Sequence, residues 1–380
     1  MNRRIVLVDS EVTDFGNHVG HSALSCASGV AGQILVRNRE VASRVGLIVV
    51  GAARMAAAEG LGNGLPQFIG ELVGLQGVAG VEVHSFCASA NTAVREAAVA
   101  IEAGRADAVL VVGLEHLSAS HAGGPLRPEA AGAEAAHGFS PPVFYAICAH
   151  RYLHDTGAPV SALAQVAVHN RRHGAGNPHA RFQNAISVEE VLASRLIADP
   201  LTLLQCCPSA DGSGALLLAA AEIVEQADRM VELRGCGAAS ADPEVALLTS
   251  FPEDVAAARI AYAAAGVGPD EIDVAEVHDA FTISQVIHLE DVGLAPRGEG
   301  WRHALETAPR TVVNPSGGLL SRGHPLGATG IAQFHGVRTY LLDDRIEPRQ
   351  RRFGLVQEAG GLRPLGQMVS ECAVLAGPAN

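Results

Sequence analysis

Residues 80–113 read GVEVHSFCASANTAVREAAVAIEAGRADAVLVVG, and this stretch decides the fold class. Gly80–Val83 has the make-up of a short strand. From Cys87 onward small residues take over, and Ala90, Val94, Ala97 and Ile101 recur at the spacing of one helical face. Gly104 stops that helix, and Ala108–Val112 (AVLVV) returns as a buried strand. Strand, helix and strand in succession form a crossover unit, which predicts an α/β fold with a mostly parallel sheet.

The same rhythm extends outward. Arg4–Val8 reads as a first strand and His21–Val36 as a helix, while Val45–Gly51 (VGLIVVG) is an unbroken apolar run suited to a strand covered on both faces. From about Ser118 to Pro208 the rhythm stops. The segments GGPLRPEAAGAEAAHG, SPPVFYA and GNPHARF predict an inserted, partly helical loop region. Gly214–Ala219 (GALLLA) resumes the core pattern. A second half follows, with helices at Glu253–Ala265, Phe281–Val292 and Ala328–Leu342 and strands at Ile272–Val277 and Thr311–Val313. The expected organisation is an N-terminal half over 1–118, completed by about 209–228, an inserted loop domain over 119–208, and a C-terminal half over 229–380.

A chain of 380 residues with 48% hydrophobic content can bury a large core and is too long for one small domain. The net charge of −13 and the lack of any dense basic run argue against nucleic acid as a partner. Seven cysteines with no C-x-x-C pair do not make a disulfide framework. The opening MNRRIVLVDSEVTDFGNH has too short an apolar run for a signal peptide, and no stretch approaches membrane-spanning length. A reduced, cytoplasmic setting is expected.

Three residues stand where chemistry is expected. Cys87 follows a strand and opens a helix, where the helix's positive end and unpaired N–H groups favour a thiolate. The plainer alternative is a buried structural cysteine. His278 (EVHDAFT) and His324 (NPSGGLLSRGHPLGATG) each lie between a strand and a helix, and a neutral imidazole suits the base that a cysteine nucleophile needs. Reactive groups of α/β folds gather at the carboxyl ends of parallel strands.

Residues 314–330, NPSGGLLSRGHPLGATG, resemble the thiolase signature around the catalytic histidine, and VHSFCASANTAV (83–94) resembles the nucleophile segment. VAEVHDAFTISQVIHLEDVGLAPRGEG (274–300) is similar to the segment marking the sterol-carrier and archaeal types, where His replaces the asparagine of other thiolases. YAICAHRYL, LAQVAVHNRRHGAGNPHARF and ADPLTLLQCCPSADGSGALLL in the insertion fit the same branch, so the resemblance spans about 78–370. It implies the thiolase fold, two similar βαβαβαββ halves in α-β-α-β-α layers with an inserted loop domain. It implies a CoA thioester substrate with no permanently bound cofactor, and a homodimer or dimer of dimers. In the roles it implies, Cys87 is acylated, His324 activates it and His278 completes an oxyanion hole. Backbone N–H groups of Cys87 and Gly360 form a second hole, and Asn314, Ser316 and Gly323 support the His324 loop.

The chain departs from the family at one function. Common thiolases draw a second, acid/base cysteine from a C-terminal C-x-G motif, and sterol-carrier thiolases draw it from H-D-C-F. Here those sites read VQEAGG, with Glu358, and HDAF, with Ala280. Cys372 lies beyond the motif, and Cys206 and Cys207 stand where the family keeps cysteine without an acid/base role. Glu358 is therefore a candidate acid/base group, against the plainer reading of a loop carboxylate accepting backbone hydrogen bonds. Two functions follow: a cysteine-dependent acyltransferase or Claisen-type condensing enzyme, or a subunit of an assembly with a small zinc-containing OB-fold partner. A retro-aldolase on the same fold is a further variant, against which the retained Cys87 argues. His150 with His154 and His169 with His173 stand at i,i+4 without the glutamate of H-E-x-x-H, and a polar, partly exposed helix is expected there rather than a metal site. Asp211 and Ser213 are expected to shape a turn before a core strand.

Overall fold

The computed structural model describes residues 3–18, 20–53, 64–120, 138–245, 247–307, 309–363 and 366–378. The insertion's Pro- and Gly-rich stretch at 121–137 and the glycine-rich loop at 54–63 lie outside them. Twelve strands occur among the described residues. In the first half these are β1 (Ile5–Val12), β2 (Val45–Gly51), β3 (Ala79–Val83) and β4 (Ala108–His116). The insertion carries the short hairpin β5 (Leu196–Ala198) and β6 (Leu201–Thr202), and β7 (Asp211–Ala220) returns to the first half. The second half holds β8 (Val231–Ser240), β9 (Val274–Glu276), β10 (Val312–Val313), β11 (Phe353–Arg363) and β12 (Gly366–Ala376).

The two halves repeat one another. The first orders its strands β3-β2-β4-β7-β1 and the second orders them β10-β9-β11-β12-β8. In both, the first two pairings are parallel and the next two antiparallel. The expectation of a mostly parallel sheet is thus corrected to a mixed one. Crossover helices can link only the parallel strands, whereas β7 re-enters from the insertion and β11–β12 closes as a hairpin, which needs no crossover. β1 and β8 pair antiparallel from Ile5↔Leu233 to Leu7↔Val231, which joins the halves into one ten-stranded sheet.

Helices Ser89–Glu102 and Thr329–Leu341 occupy equivalent places, each leading from the third strand of its half into the fourth. Both lie in a shared core with Val109, Val111, Leu216 and Leu218 of one half and Val274, Val356, Ala373 and Leu375 of the other. Ala90, Val94, Ala97 and Ile101 all face that core fully buried. On the outer faces, helices Ala23–Arg37 and Leu65–Val73 cover the first half, and Pro252–Ala265 with Thr282–Asp291 cover the second. This gives the five α-β-α-β-α layers. At roughly 25 cal/mol per Å² of apolar surface removed from water, the central pair of helices holds the two halves together.

Three strands escape the apolar pattern: β8, β11 and β12. β11 carries Gln357 and Glu358 and β12 carries Glu371, all buried, while β8 (VELRGCGAAS) is broken by Glu232, Arg234 and two glycines, so the sequence shows no continuous apolar run in any of them. Asp211 and Ser213 lie within β7 itself rather than in a turn before it. Asp211 accepts the His18 and Ser118 N–H groups at 2.7 and 2.8 Å, and so ties the strand's start to the loop after β1 and to the short helix Leu117–Ser120. The described insertion is more helical than expected, with helices Pro141–Thr156 and Val160–Gly174. Phe144, Tyr145 and Tyr152 of the first pack against Phe251, Phe281 and Ile287 of the second half. His150 is exposed beside Asp199. His169 and His173 are not on an exposed face but turn inward toward His303, with the two rings 4.3 Å apart. Among the described residues no cluster of three or more His, Cys, Asp or Glu could hold a metal ion, and no helix is long and apolar enough to cross a membrane.

Candidate active site

Cys87 sits on a tight turn between β3 and helix Ser89–Glu102. The turn closes through Ala88 N–H to Ser85 O at 3.0 Å, and Ser89 Oγ accepts the Ser85 N–H at 2.9 Å. Phe86 adopts φ 53°, a left-handed conformation that side chains rarely take, so the turn that presents the sulfur is strained. The expected depression of the Cys87 thiol by the helix end is reversed. Burial drives it well above its ordinary value and the Glu358 and Glu115 carboxylates add to the rise, while the N–H groups of Gly361 and Cys87 pull only part of the way back. The resting group is therefore a thiol.

His324 stands beside that thiol. Its Nε2 lies 3.3 Å from Cys87 Sγ. Thr329 Oγ1 donates to Pro325 O at 3.0 Å and so accepts the His324 Nδ1–H at 2.7 Å. That fixes the tautomer and leaves the Nε2 lone pair facing the sulfur. Burial lowers His324 well below its ordinary value, and the neighbouring His278 and Arg322 charges lower it further, so it is neutral at pH 7.

The loop that carries His324 rests on buried charge. Ser316 donates its N–H and its hydroxyl to Glu276, each at 2.9 Å, and Arg322 Nη1 reaches Ser316 Oγ at 2.6 Å and Glu276 at 3.5 Å. Burial raises Glu276 to about 7 despite Arg322. Asp279 accepts the Leu319 and Leu320 N–H groups at 2.6 and 3.1 Å, at the start of the short helix Gly318–Arg322. Asn314 accepts the Val277 N–H at 2.8 Å and donates to Gln285 at 2.9 Å. Gly323, at φ 101°, ends the helix where a Cβ would meet Ala210 Cβ at 2.8 Å.

His278 follows β9 and stands beside His324, with ring centroids 5.3 Å apart in edge-to-face contact. Its N–H is held by Gln357 Oε1 at 3.0 Å, and its Nδ1 donates to Glu358 Oε1 at 2.8 Å, leaving Nε2 for the cavity. Burial alone would lower His278, but Glu358, with Asp279 and Asp254 beyond, more than offsets it and holds the imidazole above its ordinary value. Burial in turn raises Glu358, against the pull of His278 and Arg322. The pair thus retains a proton, and with Nδ1 committed to Glu358 that proton makes His278 Nε2 a donor into the cavity. Glu358 lies in β11, fully buried, and is not the loop carboxylate of the plainer reading.

A cavity of about 500 Å³ opens onto this group. Cys87, His278, His324, Gly360 and Gly361 all reach its wall, whereas Glu358 stands behind His278. Gly360 runs close under the Cys87 turn, where a Cβ would meet Ser85 O at 2.5 Å. Cys207 also lines the cavity, its N–H donating to Ala280 O at 2.8 Å, and burial keeps its thiol far above the ordinary value. Cys206 sits beside it with Sγ on Thr202 O, and Cys372 is buried in β12 opposite Gln357. Sequence reasoning missed Thr329, Gln357, Asp279 and Arg322. Thr329 stands five residues after His324 at a helix start, a spacing that could have flagged it. The others act through partners distant in the chain.

Residues 5–222 match the family model described as thiolase, N-terminal domain, and 239–367 match the thiolase C-terminal domain-like model. The chain is 36% identical over 308 residues to the benzoylsuccinyl-CoA thiolase subunit BbsB of Thauera aromatica, covering 77% of this chain and 79% of that protein. It is 32% identical over 286 residues to sterol carrier protein 2 of Bos taurus, covering 69% of this chain but only 52% of that protein. The solved structure of an Ltp2-ChsH2(DUF35) aldolase superposes with a TM-score of 0.78 over 100% of this chain and 99% of that one, at 23% identity, a likeness of fold.

Proposed function

The chain belongs to the thiolase family, and from that premise we propose that it transfers an acyl group from a CoA thioester through Cys87. The observation that carries this reading is the 3.3 Å approach of His324 Nε2 to Cys87 Sγ. As the sulfur attacks the thioester carbonyl carbon, its proton passes to His324 Nε2. The new C–S bond forms, the bond to CoA breaks, and His324 returns the proton to the departing CoA sulfur. Negative charge on the carbonyl oxygen is met by the donors lining the cavity. His278 Nε2–H serves one tetrahedral intermediate and the N–H groups of Cys87 and Gly360 serve the other.

The second half of the reaction is carbon–carbon bond formation. A second acyl-CoA loses an α-proton, and its enolate attacks the Cys87 thioester carbonyl and expels the Cys87 thiolate. That α-proton passes to His324 Nε2, free again once CoA has left, and from it to the departing Cys87 sulfur. His278 Nε2–H, already protonated, holds the enolate oxygen, and Glu358, in place of the family's second cysteine, acts through His278 because it does not reach the cavity. The retro-aldolase reading is disfavoured because it gives the Cys87–His324 contact no task. A small DUF35-type partner supplying part of the CoA site accords with the named composition of the Ltp2-ChsH2(DUF35) structure. The edge strand β3, with Val81 exposed on it, suits pairing of two copies as a homodimer. A cytoplasmic setting completes the proposal.

Intact-mass spectrometry after incubation with short acyl-CoAs tests this reading. An acyl adduct on the wild type and none on Cys87→Ala is expected. The absence of any adduct, with or without a DUF35-type partner, would overturn it.

A further inference from the structure

The cavity wall departs sharply from the rest of the chain. Aromatic residues make up 4% of the sequence, yet Phe86, Phe139, Tyr145 and Phe281 are four of the twenty described residues that line the cavity. Tyr145 and Phe281 stack with centroids 4.7 Å apart and planes inclined by 26°. Behind them Phe144 meets Tyr145 edge-on at 5.0 Å and Phe251 meets it at 6.5 Å, so the ring surface is anchored in the core shared by the insertion and the second half. Such rings are fixed in place and offer flat faces and polarised edges to whatever enters.

Charge is distributed just as unevenly. Among the described residues on the wall there is no Asp, Glu, Lys or Arg, and the ionisable groups are Cys87, Cys207, His278, His324 and Tyr145. A second carboxylate on the acyl group would be buried against apolar rings, and among the described wall residues its one cationic partner, the protonated His278, is already committed to the thioester oxygen. Room is ample: an apolar cavity of about 150 Å³ suffices to hold a benzene ring, and this one measures about 500 Å³. An acetyl group would leave most of that surface uncovered, whereas a ring beside the sulfur would cover it and still leave space for the CoA arm.

We infer that the acyl group loaded onto Cys87 is uncharged and ring-sized, an arylacyl group rather than acetyl or a dicarboxylic acyl group. This rests on the acyl-enzyme reading above and adds the class of substrate. The purified full-length chain is offered equal concentrations of phenylacetyl-CoA and acetyl-CoA, and the adducts on Cys87 are compared by mass at early times. The phenylacetyl adduct is expected to exceed the acetyl adduct by at least about tenfold, and succinyl-CoA is expected to give none. Phe281→Leu and Tyr145→Leu should each reduce the preference to a few-fold. Equal or dominant acetyl labelling would overturn the inference.

A binding measurement separates the inference from the reading beneath it. The unreactive thioethers phenethyl-CoA and ethyl-CoA are titrated by calorimetry. A Kd at least about tenfold lower for phenethyl-CoA, even with no labelling of Cys87, would uphold the substrate class while removing the acyl-enzyme step. Equal affinities alongside normal labelling would do the reverse.

Discussion

The turns that carry Cys87 and His324 occupy the same place in two repeating halves, yet they are built in opposite ways. The first is five residues long between β3 and its helix, and its one unusual feature is the left-handed Phe86. The second is longer, holds the short helix Gly318–Arg322, and stands on the buried Glu276, Asp279 and Arg322. A nucleophile needs only to be exposed at a fixed point, which a strained tight turn achieves. A base must keep its tautomer and its charge state in a buried place, and that requires hydrogen-bonded partners on every side. The asymmetry continues beyond the turns, since His278 and Glu358 also come from the second half. One half therefore presents the sulfur, and the other supplies the histidines that surround it.

Replacing the base tests this division most severely. His324→Asn should slow acylation of Cys87 by about 10²–10⁴-fold, as expected for a lost general base, read by rapid-quench mass spectrometry. A change of only a few-fold would mean that the thiol ionises without His324. The scaffold comes next. Arg322→Ala leaves the buried Glu276 with Ser316 but without its cation and should destabilise the fold by about 1–3 kcal/mol in denaturant titration, whereas Phe86→Gly relieves strain and should be stable. Equal losses in the two variants would erase the contrast between the turns.

His278→Ala should lower turnover by about 10²–10³-fold, the usual cost of losing an oxyanion donor, with a smaller effect on substrate binding. Glu358→Gln is the subtlest. In the wild type Glu358 outweighs burial and holds the His278 proton to a pH above its ordinary value, so that proton is lost only as pH rises through the raised pKa. Without the carboxylate, burial dominates and His278 deprotonates at lower pH. The alkaline limb of the rate profile should shift downward, while the acid limb, set by the depressed His324, should move the other way by less, because the His278 charge that helps lower His324 is weakened. An unshifted alkaline limb would remove Glu358 from the proton path.

The same contrast explains how much could be read from the residues. The apolar face of helix Ser89–Glu102 and the positions of Cys87, His278 and His324 at strand-to-helix turns were legible, because period and punctuation are local properties. β11 was not legible, because Gln357 and Glu358 interrupt its apolar run and find their partners His278 and Asp254 far away in the chain. The protonation of Cys87 was misread for a related reason. A helix end is visible in sequence, whereas the burial and the two carboxylates that outweigh it are visible only in three dimensions. The inward turn of His169 and His173 likewise depends on His303, which helical spacing cannot reveal.

The most direct measurement of the central claim is the single-turnover release of CoA thiol when the chain is mixed with an acyl-CoA and no acceptor. The account predicts a burst stoichiometric with the chain in the wild type, slowed by His324→Asn and absent from Cys87→Ala. A burst that persists undiminished in Cys87→Ala would show that the two turns do not form an acyl-transfer pair.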